Sequence, residues 1–182
     1  MLPPGGIECP AQNGALWRLA SCAALHAGPV HLLCNVWAQA LVGLRCEYRW
    51  GARAFAGVYA GAALGASAAS CLAGAAGGGG ALSVGASGAI LGLVGAQLAE
   101  LAAAWHELDP EARAGRLRGH LGMLLVVALV GGGVGGVDNW AHAGGLAVGA
   151  MLGRLLLTDD VSGPPRCFGA APPRAARCCD DA

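Results

Sequence analysis

Apolar residues along the chain fall into five long runs separated by short polar islands. The runs cover roughly 29–44, 54–76, 86–105, 120–136 and 139–157. A helix that crosses the hydrocarbon core of a bilayer needs about 20 mostly apolar residues, and each run reaches or approaches that length. The islands RCEYRWGAR (45–53) and HELDPEARAGRLRGH (106–120), and the Pro/Arg/Cys-rich segment from 158 onward, have the composition of loops and a tail. The pattern predicts an all-α, polytopic membrane helix bundle of about five spans. Residues 1–30 form a non-cytosolic leader with a partial membrane loop, 31–157 the transmembrane core and 158–182 a cytosolic tail.

Glycines recur at every fourth position inside three of the runs: Gly57, Gly61 and Gly65; Gly88 and Gly92; Gly145, Gly149 and Gly153. Small residues at that spacing line one helical face and let backbones approach closely, which is how helices associate where lipid removes the hydrophobic driving force. A compositional bias toward Gly and Ala accounts for any one such run. Three together point to a packed bundle rather than separate anchors.

Composition agrees with the bilayer. Of 182 residues, 55% are hydrophobic and only 12% charged, against about 25% charged in a typical soluble domain. That leaves too little polar surface to clothe a globule of this size. Acidic and basic residues number 11 each, so the chain lacks the basic excess that drives nucleic-acid binding. The 32 glycines sit among Ala, Leu and Val, whereas a disordered chain needs low hydrophobicity and high charge.

All eleven basic residues are arginine, and their placement sets an orientation. Arg45, Arg49 and Arg53 follow the first run, Arg113, Arg116 and Arg118 the third, and Arg154, Arg166, Arg174 and Arg177 end the fifth and continue into the tail. The loops between, GGGGALSVG (77–85) and GVDNW (136–140), carry no cation. Because cytoplasmic loops are enriched in Lys and Arg, the N-terminus is expected outside and the C-terminus in the cytosol, which requires an odd number of spans. The opening MLPPGGIECPAQNG has neither the basic n-region nor the apolar h-region of a secretory signal. The secretory pathway or plasma membrane is the favoured location. The eight cysteines include no C-x-x-C pair and no Cys/His cluster at zinc spacing. Most read as small apolar fillers, with Cys178-Cys179 a candidate for S-acylation.

Polar residues inside spanning segments are functional-site candidates by default. His26, His31 and Asn35 lie around the start of the first run, Ser87 within SVGASGAILGLVGA, and Asp138 and His142 within VDNWAHAGGLAVG. All lie near the outer end of their helices, so they can converge at one membrane level. A serine hydroxyl needs a base within hydrogen-bond reach to act as a nucleophile, and His142 is the candidate. His31 and Asn35, four apart on one helical face, can supply oxyanion donors beside the Ser87 amide. Each residue also has a plainer reading: Ser87 as a packing serine, His142 as a structural histidine, His31 and Asn35 as a helix cap. A metal site from His26, His31 and His142 lacks a carboxylate or fourth ligand at useful spacing, and no cofactor is called for.

Taken together, G-A-S-G (85–88), A-H-A-G-G-L-A-V-G (141–149) and L-H-A-G-P-V-H-L-L-C-N (25–35), preceded by Trp17-Arg18 and followed by Glu47 and Gly51, resemble the rhomboid family of intramembrane serine proteases. The run VGASGAILGLVGAQLAEL looks like its eukaryotic secretase-type branch, and the resemblance covers about residues 15–157. It implies a dyad of Ser87 as nucleophile and His142 as general base. His31, Asn35 and the Ser87 amide would form the oxyanion hole, with Gly85, Gly88 and Gly145 in support. It further implies substrates that are single-span membrane proteins cleaved in or near their transmembrane segments. Trp17-Arg18 matches the motif of a membrane-embedded loop. Asp138, four residues before His142, is expected to cap its helix rather than complete a triad.

Two departures from the family pattern stand out. Leu91 replaces the aromatic residue usual four positions after the serine, and the first helix of a six-span core is expected to be missing. The alternative function is therefore a catalytically inactive or truncated rhomboid-like protein that binds client transmembrane helices. A small channel lined by these polar residues is a third reading.

Overall fold

The computed structural model describes residues 14, 16–76, 84–133 and 138–157. Residues 1–13 and 15 of the expected leader, most of the 77–85 loop and the tail with Cys178 and Cys179 lie outside these residues. All regular structure among the described residues is helical: α1 (Arg18–Ser21), α2 (Pro29–Trp50), α3 (Ala52–Ala75), α4 (Ser87–Ala103), α5 (Pro110–Gly133) and α6 (Asn139–Leu156), with a 3-10 turn at Cys22–Ala24 after α1. The five apolar runs thus correspond to α2 through α6. Among the described residues, by length and hydropathy α3 alone qualifies as a spanning helix, α2 qualifies together with α1 across a 92° bend, and α4 is apolar but shorter.

The two polar islands expected as loops are largely helical. Residues 45–50 form the last turns of α2, and only Gly51, at φ +80°, interrupts the path into α3. That left-handed backbone is open to glycine at little cost. At the other island α5 begins at Pro110, with Asp109 Oδ1 accepting the Ala112 N–H at 2.9 Å. Arg, Glu, Leu and Ala are strong helix formers, so these polar segments carry the helices on.

Helix α4 is the centre of the bundle. Eleven of its 17 residues are buried, among them Ile90, Leu93, Val94 and Ala96, as expected of a helix that is apolar all round. Helices α3 and α6 press against it through glycine. A Cβ at Gly92 would overlap that of Ala62, and one at Gly149 would fall on the Gly92 carbonyl. One at Gly145 would strike the Gly88 carbonyl, and one at Gly153 would lie 2.6 Å from Ala96 Cα. These pairings run in the same sequence direction, so α4 and α6 are parallel. Helix α3 runs antiparallel to α6, since Gly61 meets Leu152 and Gly65 meets Val148. Gly57 takes no part: nothing lies within 4 Å of its Cβ position.

The bundle's outer surface is apolar. Val30, Leu33, Val36, Trp37 and Leu44 of α2, and Leu155 of α6, are all exposed, which suits hydrocarbon rather than water. At the arginine-bearing end, polar groups pair inside the bundle. Arg49 Nε donates to Glu100 Oε1 at 3.1 Å, with Glu100 itself buried. Gln97 of α4 joins Cys46 of α2 at 3.2 Å and His120 of α5 at 3.1 Å. Cys46 is fully buried, a filler as expected, whereas Cys71 is disulfide-bonded and departs from that reading.

Because the α4–α6 contact is backbone on backbone, it has no flexible side chain to yield. Gly149→Ala should destabilise the folded chain by about 1–3 kcal/mol, while Gly57→Ala should not lower stability. Thermal unfolding of the two variants in detergent, followed by helical circular dichroism, checks both.

Candidate active site

The site lies where the N-terminal ends of α2, α4 and α6 meet. The segment before α4 reaches its position through Gly85, whose φ of +114° is, like that of Gly51, a conformation that favours glycine. The Gly85 N–H donates to the Cys22 carbonyl at 3.0 Å, which ties this segment to the turn after α1. That turn is anchored in its own right, since buried Ser67 of α3 donates to the Leu19 carbonyl at 2.8 Å and lies 2.9 Å from Cys22 Sγ.

Ser87 opens α4, and the first bond of the helix runs from the Ile90 N–H to the Ala86 carbonyl at 3.0 Å. The N–H groups of the first turn therefore have no helical acceptor and gather partial positive charge at the serine. Gly88 and Gly145, one on each helix, allow α6 to close on this turn. Ser87 Oγ then lies 2.8 Å from His142 Nε2. The hydroxyl donates to Nε2 in the neutral tautomer that carries its ring proton on Nδ1.

Asp138 caps α6. Its Oδ1 accepts the Ala141 N–H at 3.0 Å and its carbonyl accepts the His142 N–H at 3.2 Å. The other carboxylate oxygen, Oδ2, accepts a hydrogen bond from Ser70 of α3. Neither oxygen is hydrogen-bonded to the His142 ring, so the geometry is that of a Ser/His pair and not a linear triad.

His31 and Asn35 approach from α2. The N-cap of that helix, Gly28, makes no side-chain cap bond. His31 Nδ1 accepts the Ala27 N–H at 3.3 Å, which leaves the proton of the neutral ring on Nε2. That nitrogen faces Gly85: a Cβ there would lie 3.1 Å from it and 2.8 Å from Cε1. Asn35 is buried and donates from Nδ2 to the His31 carbonyl at 2.9 Å, while its Oδ1 has no partner. The same Nδ2 lies 3.7 Å from the Cβ position of Gly85, so its second N–H is near the segment that leads to Ser87. His26 packs edge-on against His31, ring centroids 5.3 Å apart.

All seven candidate residues, Ser87, His142, His31, Asn35, Gly85, Gly88 and Gly145, thus occupy one region. Among the described residues no group of three or more His, Cys, Asp or Glu is placed to hold a metal ion. Sequence reasoning did not find Ser70, Ser67 or Cys22, which sit in Ala-rich surroundings without a periodic signal and matter only through partners on other segments.

An all-helical bundle with an apolar exterior and a serine–histidine pair at the meeting of two glycine-packed helices defines a membrane-embedded class of protein. The Rhomboid domain matches residues 13–159 of the chain, and the chain belongs to the rhomboid family. It is 38% identical over 146 residues to RHOMBOID-like protein 5 of Arabidopsis thaliana, covering 80% of this chain and 46% of that protein. It is 41% identical over 145 residues to RHOMBOID-like protein 7 of the same plant, covering 78% and 43%. Rhomboid-like protease 1 of Toxoplasma gondii is 33% identical over 149 residues, covering 79% and 48%. The matched region spans less than half the length of these curated relatives. No solved structure gives a significant match. Membership of the family makes the chain an integral membrane protein.

The Gly85 conformation and its contact with His31 make a local prediction. Gly85→Ala would force a side chain into a left-handed position and against a ring held on its other side. Helical content should persist, but the rate at which a fluorophosphonate labels Ser87 should fall about tenfold or more, the cost of an ångström-scale misplacement.

Proposed function

We propose that the chain is the core of an intramembrane serine endopeptidase. The observation that carries this reading is the 2.8 Å contact of Ser87 Oγ with His142 Nε2. In the proposed reaction Nε2 takes the hydroxyl proton as Oγ attacks the scissile carbonyl. The negative charge that develops on the carbonyl oxygen is met by the Ser87 N–H, His31 Nε2–H and the free N–H of Asn35. The imidazolium then protonates the leaving amine, and water, activated by the same nitrogen, releases the acyl group. The name of a relative, Rhomboid-like protease 1, supports proteolysis as the chemistry. The substrates we propose are single-span membrane proteins whose transmembrane helix opens locally, since a regular helix keeps its carbonyls in hydrogen bonds.

The arginine asymmetry supports an orientation with the site at the non-cytosolic side. Glycosylation acceptor sites inserted into residues 77–85 should be modified and those inserted into 106–120 should not; modification of the second loop alone would reverse the orientation.

Covalent labelling by a fluorophosphonate probe should be lost in Ser87→Ala and fall strongly in His142→Ala. Cleavage of a model single-span substrate should drop about 10²–10³-fold in Asn35→Ala and at least as far in His31→Ala, the usual cost of one oxyanion donor. Cleavage that survives Ser87→Ala would refute the dyad. Stable capture of the substrate helix without cleavage by the parent chain would move the assignment to a client-binding protein.

A further inference from the structure

We propose that Ser70 and Asp138 form a clamp between α3 and α6 that sets the rotation of α6 about its own axis and so aims Nε2 of His142 at Ser87. Both are positioning residues, and the proposal rests on the dyad reading for its catalytic consequence. Asp138 and His142 are four residues apart and share one helical face. From that face Asp138 reaches α3 and His142 reaches α4.

The two carboxylate oxygens have separate duties. Oδ1 holds the first turn of α6 through the Ala141 N–H at 3.0 Å, and Oδ2 accepts the Ser70 hydroxyl of α3. The cap thereby becomes a link between helices. Such a link matters at this end of the interface, because the larger side chains that interlock the two helices, Val148 at Gly65 and Leu152 at Gly61, stand further along α6. One turn further along, Gly144 lies against Ala69 and 2.8 Å, by its Cβ position, from the Gly65 carbonyl, and Gly65 lies against Val148. Small residues permit close approach, but Gly144 and Ala69 offer no long side chain to interlock and resist turning. A histidine ring tip stands about 6 Å from a helix axis whose Cα radius is about 2.3 Å, so a rotation of about 10° shifts Nε2 by about 1 Å. A shift of that size is enough to cost a catalytic contact much of its effect.

The clamp predicts a pattern that neither a charge relay nor a simple structural cap produces. Asn at position 138 keeps an oxygen for the Ala141 N–H and an amide for the Ser70 oxygen, so Asp138→Asn should retain kcat within about threefold. A carboxylate that held the histidine tautomer, as in a triad, would instead lose about 10⁴-fold on that change. Ser70→Ala and Asp138→Ala should each lower kcat about tenfold with KM unchanged. The double variant should be no worse than Asp138→Ala alone, because both remove the same link.

The experiment uses the full chain in liposomes and adds a readout independent of catalysis. In a Ser87→Cys/His142→Cys background, the rate of cross-linking between positions 87 and 142 by a short bifunctional thiol reagent, mapped by mass spectrometry, reports their alignment. Adding Ser70→Ala should slow that cross-link several-fold, and adding Ser70→Thr should restore it. An unchanged cross-linking rate in Ser70→Ala overturns the clamp, as does an Asp138→Asn variant as impaired as Asp138→Ala. The cross-link decides the clamp even if the parent chain proves unable to cleave, a result that would count against the dyad alone.

Discussion

The backbone-to-backbone contact between α4 and α6 is the constraint on which everything else in this molecule depends. Helices that pack through ordinary side chains keep their axes 8–10 Å apart. Here Gly145, Gly149 and Gly153 of one helix meet Gly88, Gly92 and Ala96 of the other with no room for an added methyl group. The two helices run in parallel with Gly145 level with Gly88, so their N-terminal ends lie on the same side of the bundle. A serine at the first position of α4 and a histidine in the first turn of α6 then meet without either helix bending. Dispersion and close fit supply this association, since the lipid offers no hydrophobic gain on helix pairing.

The same economy of space shapes the site's electrostatics. Ser87 has the unpaired N–H groups of the α4 N-terminus beside it, and two donors from α2 approach from the other side. Such groups act strongly where water is scarce and need little reorganisation as charge develops. At the opposite end of the bundle the polar groups are handled differently. Glu100 is buried but paired to Arg49, and Gln97 bridges Cys46 and His120. There these groups pair with one another and join α2, α4 and α5, while the buried Trp50 Nε1 has no partner among the described residues. At the serine end Asn35 Oδ1 and His26 Nε2 have none, and Asn35 spends one N–H on the His31 carbonyl.

Much of this could be read from the one-dimensional pattern. Five apolar runs became five helices, the every-fourth glycines of α4 and α6 became the central contact, and Ser87, His142, His31 and Asn35 came together. Errors arose where a local rule met a longer-range demand. Arginine-rich islands looked like loops because polar composition and loop composition coincide, yet their residues are good helix formers. Gly57 followed the glycine period but lies beyond the reach of α6. The disulfide at Cys71 could not be read because the distance to another thiol leaves no mark on its neighbours.

Periodicity, hydropathy and motif spacing are properties of a segment and its immediate surroundings, so the chain's order alone determined the all-helical class, the apolar exterior, the tight faces of α4 and α6 and the residue types at the site. It could not determine which nitrogen of His31 faces Gly85, that Asp138 spends one oxygen on its own helix and the other on Ser70, or that Ser67 and Cys22 hold the turn beneath Ser87. Each of these joins groups from separate segments through directional bonds that tolerate only tenths of an ångström. Only when the helices are packed do their relative rotation and depth acquire values, and those values decide every such bond.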